Sequence, residues 1–131
     1  MARAEGDEQA RAEKMLRDFF LGFVRVHLLH HASRGPVYGV SLIEGLAPHG
    51  YYLSPGTVYP LLHRMEEVGF LSRRDGMVEG KLRKYYSITP LGEQLLAEAR
   101  GKIEELVREI LPADLTSENG EQERHFGDVG L

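Results

Sequence analysis

Residues 54–69 read Ser-Pro-Gly-Thr-Val-Tyr-Pro-Leu-Leu-His-Arg-Met-Glu-Glu-Val-Gly and predict a short helix with a marked start and end. Ser54 is a helix-capping residue type, Pro55 suits the first helical position, and Gly69 can close the far end in a left-handed conformation. The apolar side chains recur at helical spacing and share one face. They are Val58, Leu61, Leu62, Met65 and Val68. The other face carries polar groups suited to an anionic surface, namely Thr57, Tyr59, His63 and Arg64.

The spacing of the apolar residues changes from helical to alternating after this helix. Residues 70–74 and 83–89 alternate as two short strands, joined by a loop that contains Gly76 and Gly80. Basic residues gather in this hairpin, among them Arg73, Arg74, Lys81, Arg83 and Lys84. A helix followed by a positive hairpin is the plan of a winged helix, in which the helix enters a DNA groove and the hairpin lies beside it.

Two helices are predicted upstream. Residues 13–32 form a helix that is apolar over much of its circumference, through Leu16, Phe19, Phe20, Phe23, Val24, Leu28 and Leu29. Such a helix is buried on more than one side, and in so small a chain a second subunit is expected to cover one of them. Residues 37–47 form the next helix, with Val40, Leu42, Ile43 and Leu46 as core candidates. The short turn before Ser54 makes this pair a helix-turn-helix.

A long amphipathic helix is predicted downstream. Thr89-Pro90 repeats the cap signature, and the helix extends to about Leu111. Its apolar stripe consists of Leu91, Leu95, Ala99, Ile103, Leu106 and Ile110. Its expected partner is the first helix, on its own chain or on a twin subunit. The predicted organisation is therefore a flexible segment 1–12, a winged helix-turn-helix domain 13–89, a dimerisation helix 90–111 and a disordered acidic tail 112–131.

The composition and the distribution of charge limit the classes of function that this chain can have. The net charge of −4 argues against nucleic acid, but residues 54–89 carry six basic and four acidic side chains, whereas residues 90–131 carry four and ten. Phosphate affinity depends on the local field. The chain has no cysteine, no glycine loop for phosphates and no nucleophile elbow, so an enzyme is not expected. We expect no membrane segment and no leader, and a cytoplasmic location.

Several motifs together carry a family resemblance. They are Val37-Tyr38-Gly39, His49-Gly50-Tyr51, the run from Ser54 to Glu66, Gly69-Phe70-Leu71, and the run from Arg83 to Gly92. In this order they closely resemble the PadR family of bacterial transcriptional regulators. The resemblance implies a homodimeric winged-helix repressor that is paired through its first and last helices and bound to an inverted-repeat operator. It names no cofactor, and a small-molecule effector stays unidentified.

The resemblance also implies site residues. The DNA-facing positions are Tyr38, Ser54, Gly56, Thr57, Tyr59, Pro60, His63, Arg64, Lys81, Arg83 and Lys84. The dimerisation positions are Leu16, Phe19, Phe20, Phe23, Leu95, Ala99, Ile103, Leu106 and Ile110. Some small family members bind aromatic drugs between paired tryptophans, but this chain has no tryptophan, so that site is not carried over.

Alternatives remain for some of these residues. Arg64 suits guanine or phosphate, but it also stands three residues from Glu67, where an intrahelical pair is worth about 0.2–0.5 kcal/mol. His27, His30 and His31, with His49 nearby, suit either a solvated, pH-responsive patch or a zinc or nickel site between two subunits. A winged helix used only for protein contacts is the third alternative.

Overall fold

The computed structural model describes residues 2–114 as five helical segments and one hairpin. The elements in chain order are α1 (Ala2–Arg34), α2 (Gly39–Leu46), a 3₁₀ turn (Ala47–His49), α3 (Pro55–Glu67), β1 (Leu71–Val78), β2 (Lys81–Ile88) and α4 (Pro90–Ile110). This mainly helical winged helix-turn-helix with a long last helix confirms the predicted fold class. Among the described residues, no helix is long and apolar enough to cross a bilayer. Nearly all of the predicted tail lies outside the described residues.

The first helix is much longer than predicted. It begins at Ala2 rather than Glu13, so the expected flexible segment 1–12 is helical from its second residue. Its 33 residues correspond to about 50 Å of helix. The early residues are mostly Ala, Glu, Arg and Gln, which are good helix formers even without burial. The predicted start of α1 was wrong because it was placed from apolar residues. Residues 4–20 are all exposed, so this part of the helix forms without burial of an apolar face in the chain.

The core lies where the second half of α1 meets the winged-helix elements. Among its most deeply buried members are Leu28, Leu42, Leu46, Leu62 and Val58, contributed by α1, α2 and α3. Two core predictions are wrong: Val40 is 49% exposed, and Val68 is 40% exposed. In α4, Leu96 rather than the predicted stripe supplies the buried contact. Leu96 is one residue from Leu95 of the predicted stripe, and helical spacing alone does not fix which side of the stripe meets the core.

The hairpin is longer and its turn tighter than predicted. β1 and β2 pair antiparallel from Leu71 opposite Ile88 to Val78 opposite Lys81, so Gly76 lies within a strand and not in a loop. Only Glu79 and Gly80 form the turn, and both have positive φ, 52° and 76°. Positive φ at both positions defines the type I′ turn that matches the twist of paired strands. The wing is therefore a regular ribbon that projects from the core.

The ends of α3 and α4 follow the capping predictions in part. Gly69 has φ 90° after α3, as expected. Thr89 caps α4, since its side-chain oxygen accepts a hydrogen bond from the Gly92 amide at 3.0 Å. Ser54 does not make the predicted side-chain cap; its hydroxyl lies exposed, 3.4 Å from the Thr57 hydroxyl. Helix α3 continues through Pro60.

Candidate nucleic-acid interface

A cleft of about 370 Å³ lies between the start of α2, the outer face of α3 and the wing. It is lined by five of the predicted DNA-facing residues, which are Tyr38, Tyr59, His63, Arg83 and Lys84. Gly39, Val40, Leu82 and Tyr86 complete the lining, and the sequence predicted no DNA-facing role for these four. Positions 46 residues apart in the chain thus share one surface that contains cations, a histidine and phenol groups.

Two backbone hydrogen bonds join the wing to the segment just before α2. The Val37 amide donates to the Tyr86 carbonyl at 2.8 Å, and the Tyr86 amide donates back at 2.7 Å. Tyr86 is 3% exposed; burial, reinforced by the Glu66 carboxylate, raises the pKa of its phenol. This neutral buried ring and the paired amides fix the base of the wing beside α2.

Tyr38 lies within an aromatic and cationic stack. The Arg83 guanidinium carbon is 4.5 Å from the centre of the Tyr38 ring, and the Tyr85 ring meets the same ring edge-on at 5.6 Å. Such a cation–π contact at a partly exposed site is worth roughly 0.5–1 kcal/mol. Arg83 is therefore oriented before any ligand arrives, and the Tyr38 phenol is positioned beside it.

Tyr59 is positioned by a glycine that sequence analysis left without a role. A Cβ on Gly39 would lie 2.6 Å from Cζ and 2.8 Å from the hydroxyl oxygen of Tyr59. The hydroxyl end of the Tyr59 side chain thus packs against the backbone at the first residue of α2, and only glycine leaves that space. The signal was available, because Gly39 directly follows Tyr38 in the quoted motif.

The basic side chains near the end of α3 make only weak contacts within the chain. Arg64 Nη1 and His63 Nε2 each lie 3.4 Å from an oxygen of Glu67. The intrahelical pair considered for Arg64 is therefore present in the free protein. All three side chains are at least half exposed, and exposed pairs are worth only about 0–1 kcal/mol. A phosphate or a guanine edge can displace Glu67 at little cost.

The wing carries the remaining predicted cations. Lys81 and Lys84 are exposed, and Lys81 stands beside the turn. Arg73 differs, because its Nε lies 3.7 Å from an Asp75 oxygen and 4.0 Å from a Glu66 oxygen. Arg73 therefore holds the wing to α3, whereas the two lysines and Arg83 face the cleft or solvent.

The start of α3 brings the other predicted residues to one exposed edge. Ser54, Gly56 and Pro60 are exposed, and Thr57 is half-buried. The first amides of a helix lack intrahelical acceptors and carry partial positive charge. This edge and the cleft therefore form a continuous surface suited to the phosphates of a duplex, with α3 as the element that fits a groove.

Comparisons with known proteins agree with this geometry. The "Transcriptional regulator PadR-like family" matches residues 28–98. The transcriptional regulator Rv3488 of Mycobacterium tuberculosis is 46% identical over 96 residues, which cover 73% of this chain and 90% of that protein. Among solved structures, a PadR-like transcription factor from Bacteroides fragilis superposes with a TM-score of 0.66 at 26% identity, over 74% of this chain and 95% of that one. A PadR family regulator from Eggerthella lenta gives 0.66 at 30% identity, over 76% and 88%. This chain therefore belongs to the PadR-like family of transcriptional regulators.

Proposed function

We propose that this regulator binds a promoter inverted repeat as a homodimer and represses transcription by occupying it. The observation that carries the proposal is the cleft, in which Tyr38, Tyr59, His63, Arg83 and Lys84 converge beside the exposed face of α3. Cations and phenols suit phosphate oxygens, and an exposed helix beside a wing suits a major groove. In a twofold dimer, the two α3 helices are expected about 34 Å apart, one DNA turn.

A second apolar surface supports the dimer. The middle of α1 and the second half of α4 expose most of the predicted dimerisation side chains. Leu16, Phe19, Phe20, Phe23, Ile103, Leu106 and Ile110 are each 39–64% exposed. Ala99 is half-buried, and Leu95 instead packs against the core of its own chain. Exposed apolar side chains in such a contiguous set mark a protein interface. Helices α1 and α4 also contact each other within the chain, as the own-chain alternative predicts, and pairing with a twin subunit is the part that we propose.

An apolar cleft of about 770 Å³ between α1 and α4 gives this interface a place for side chains of the partner. Phe19, Phe23, Ile103 and Leu106 are among the residues that line it. We assign the cleft to the second copy of the chain. An apolar effector that occupied part of it would favour one dimer geometry, change the separation of the two α3 helices and so change operator affinity.

Two measurements test the proposal. Fluorescence anisotropy with DNA from upstream of the protein's own gene is expected to give tight binding that weakens steeply with salt, against weak binding to random DNA. Equal affinity for both DNAs across the salt series would favour the adaptor alternative and overturn the proposal.

Sedimentation tests the dimer. Leu106→Glu places a charge in the apolar cleft and is expected to produce monomers at micromolar concentration. The matched control is Leu82→Glu, which introduces the same charge at a similarly exposed leucine on the wing and is expected to leave the dimer intact. A wild-type monomer, or an equal effect of both substitutions, would contradict the assigned interface.

A further inference from the structure

Three histidines meet on a side of the domain that the DNA cleft does not use. His27 and His31 lie four residues apart on α1 and so share a face, and His49 ends the 3₁₀ turn after α2. One imidazole nitrogen from each lies within 4.8 Å of the other two. The sequence alternative placed such a group between two subunits, but within residues 2–114 a single chain assembles it.

The rings are held by packing against different elements. The His27 ring contacts the His49 ring edge-on at 5.1 Å and the Tyr51 ring at 5.3 Å. His31 lies over Gly45 of α2, where a Cβ would be 3.7 Å from the His31 Cε1. The three nitrogens therefore face one another because of the packing of α1 on α2 and its following turn, which is the part of the fold that precedes α3.

The surroundings favour neutral imidazoles. Burial lowers the pKa of His27, and the neighbouring His49 and His31 lower it further. Burial likewise lowers the pKa of His31, followed by His30, His49 and Arg34. Every cause acts in the same direction, so protons are disfavoured at both rings. Neutral imidazole is the form that binds a metal ion.

We propose that His27, His31 and His49 bind one divalent first-row transition metal ion per chain. Zinc–nitrogen bonds of about 2.0–2.1 Å in a tetrahedron separate the nitrogens by about 3.3 Å, so each pair must approach by roughly 1.5 Å or less. Rotation of the rings supplies this movement. Three imidazoles with an open fourth position form an established zinc donor set, and imidazole also suits copper and nickel.

The metal would join α1 to the connection that leads into α3. His49 stands shortly before Pro55, the first residue of the DNA-facing helix, whereas His27 and His31 belong to the helix that also carries the dimer face. A bound ion would restrict the position of α3 relative to α1. This consequence for DNA affinity rests on the proposed function, whereas the metal site itself does not.

Metal binding is tested on the full chain without DNA. After chelator treatment and dialysis, we expect a competition titration against a chromophoric chelator to give one Zn²⁺ per chain, and Co²⁺ to give the visible absorption of a tetrahedral site. His49→Gln removes an exposed ligand and is expected to lower Zn²⁺ affinity at least tenfold without lowering the melting temperature of the metal-free protein. The same loss is expected for His27→Gln.

The matched control is His30→Gln. His30 lies on the same helix beside His31, but its Nδ1 is 3.2 Å from the Arg100 guanidinium of α4, and it is not a member of the three-ligand group. We expect this variant to keep wild-type Zn²⁺ affinity. No Zn²⁺ binding by the wild type, full affinity in His49→Gln, or an equal loss in His30→Gln would each overturn the site.

A separate titration tests the link to DNA. Zn²⁺ is expected to change the operator affinity of the wild type and to leave that of His49→Gln unchanged. An unchanged wild-type affinity with metal bound would refute the regulatory consequence while leaving the site intact. Absence of DNA binding with or without metal would instead count against the proposed function, so the two failures are distinguishable.

Discussion

The substitution Gly39→Ala is expected to lower DNA affinity while leaving the stability of the fold almost unchanged. The new Cβ would lie 2.6 Å from Tyr59 Cζ, and the three nearest atoms all belong to the Tyr59 ring. Carbon atoms pack at about 3.5–4.0 Å, so the ring must retreat by roughly 1 Å. The ring has room to do so on its solvent side, because Tyr59 is 43% exposed. The hydroxyl then leaves the position that it holds in the cleft.

The expected magnitudes differ for the two readouts. A hydrogen bond from a neutral donor to a charged group contributes about 1.5–3 kcal/mol, so losing a Tyr59–phosphate bond lowers affinity roughly ten- to 150-fold for each subunit of the dimer that loses it. The free energy of unfolding is expected to change by less than about 1 kcal/mol, because the helical preference of alanine over glycine, up to about 1 kcal/mol, offsets the displaced ring.

Anisotropy measures the affinity and urea denaturation measures the stability. Tyr59→Phe, which keeps the ring and deletes the hydroxyl, is the matched variant. If Gly39 acts by positioning that hydroxyl, Gly39→Ala has little further effect in the Tyr59→Phe background, as a double-mutant cycle reveals.

Two results would refute this reasoning. One is a Gly39→Ala protein that binds operator DNA as tightly as the wild type. The other is full additivity of the two substitutions in the cycle, since Gly39 would then act on DNA binding through something other than the Tyr59 hydroxyl.

Three further predictions concern the wing and α4. Arg83→Ala and Lys84→Ala are each expected to reduce the slope of log K against log salt by about 0.9 per lost phosphate contact, and so by about 1.8 for a dimer that loses one contact in each subunit. Anisotropy between about 50 and 200 mM salt measures the slope, and an unchanged slope would exclude the contact. Thr89→Ala removes the α4 cap and is expected to lower the free energy of unfolding in urea by about 0.5–2 kcal/mol, whereas Thr89→Ser should retain most of it. Gly92→Ala would place a Cβ against the backbone carbonyl of Phe70, which cannot move aside as a flexible side chain could. The expected loss of about 1–3 kcal/mol is measured in the same assay, and wild-type stability would contradict the collision.

The local signals in the sequence were sufficient for the elements that place the site. Pro55, Gly69 and Thr89 mark helix ends by their own backbone and side-chain chemistry, which depends on a few neighbouring residues. The family motif rests on the same local runs, and the matching family confirms it. The helix propensity of residues 2–12 is an equally local signal. The prediction nevertheless left these residues out of α1, because it placed the start of the helix from apolar residues.

Only the tertiary structure decided which side chains are buried and which residues from distant parts of the chain come into contact. Val40 was predicted in the core and is exposed, whereas Leu96 lies outside the predicted stripe and is buried. Each helix adopts the rotation that fills the whole core, and helical spacing defines a stripe without fixing that rotation. The contact of Gly39 with Tyr59 joins residues from different helices, and the meeting of His27 with His49 joins α1 to the turn after α2. Sequence thus determined which groups and which helix ends this chain has, because those follow from local chemistry. Tertiary packing determined which groups face one another, because close packing couples all elements at once.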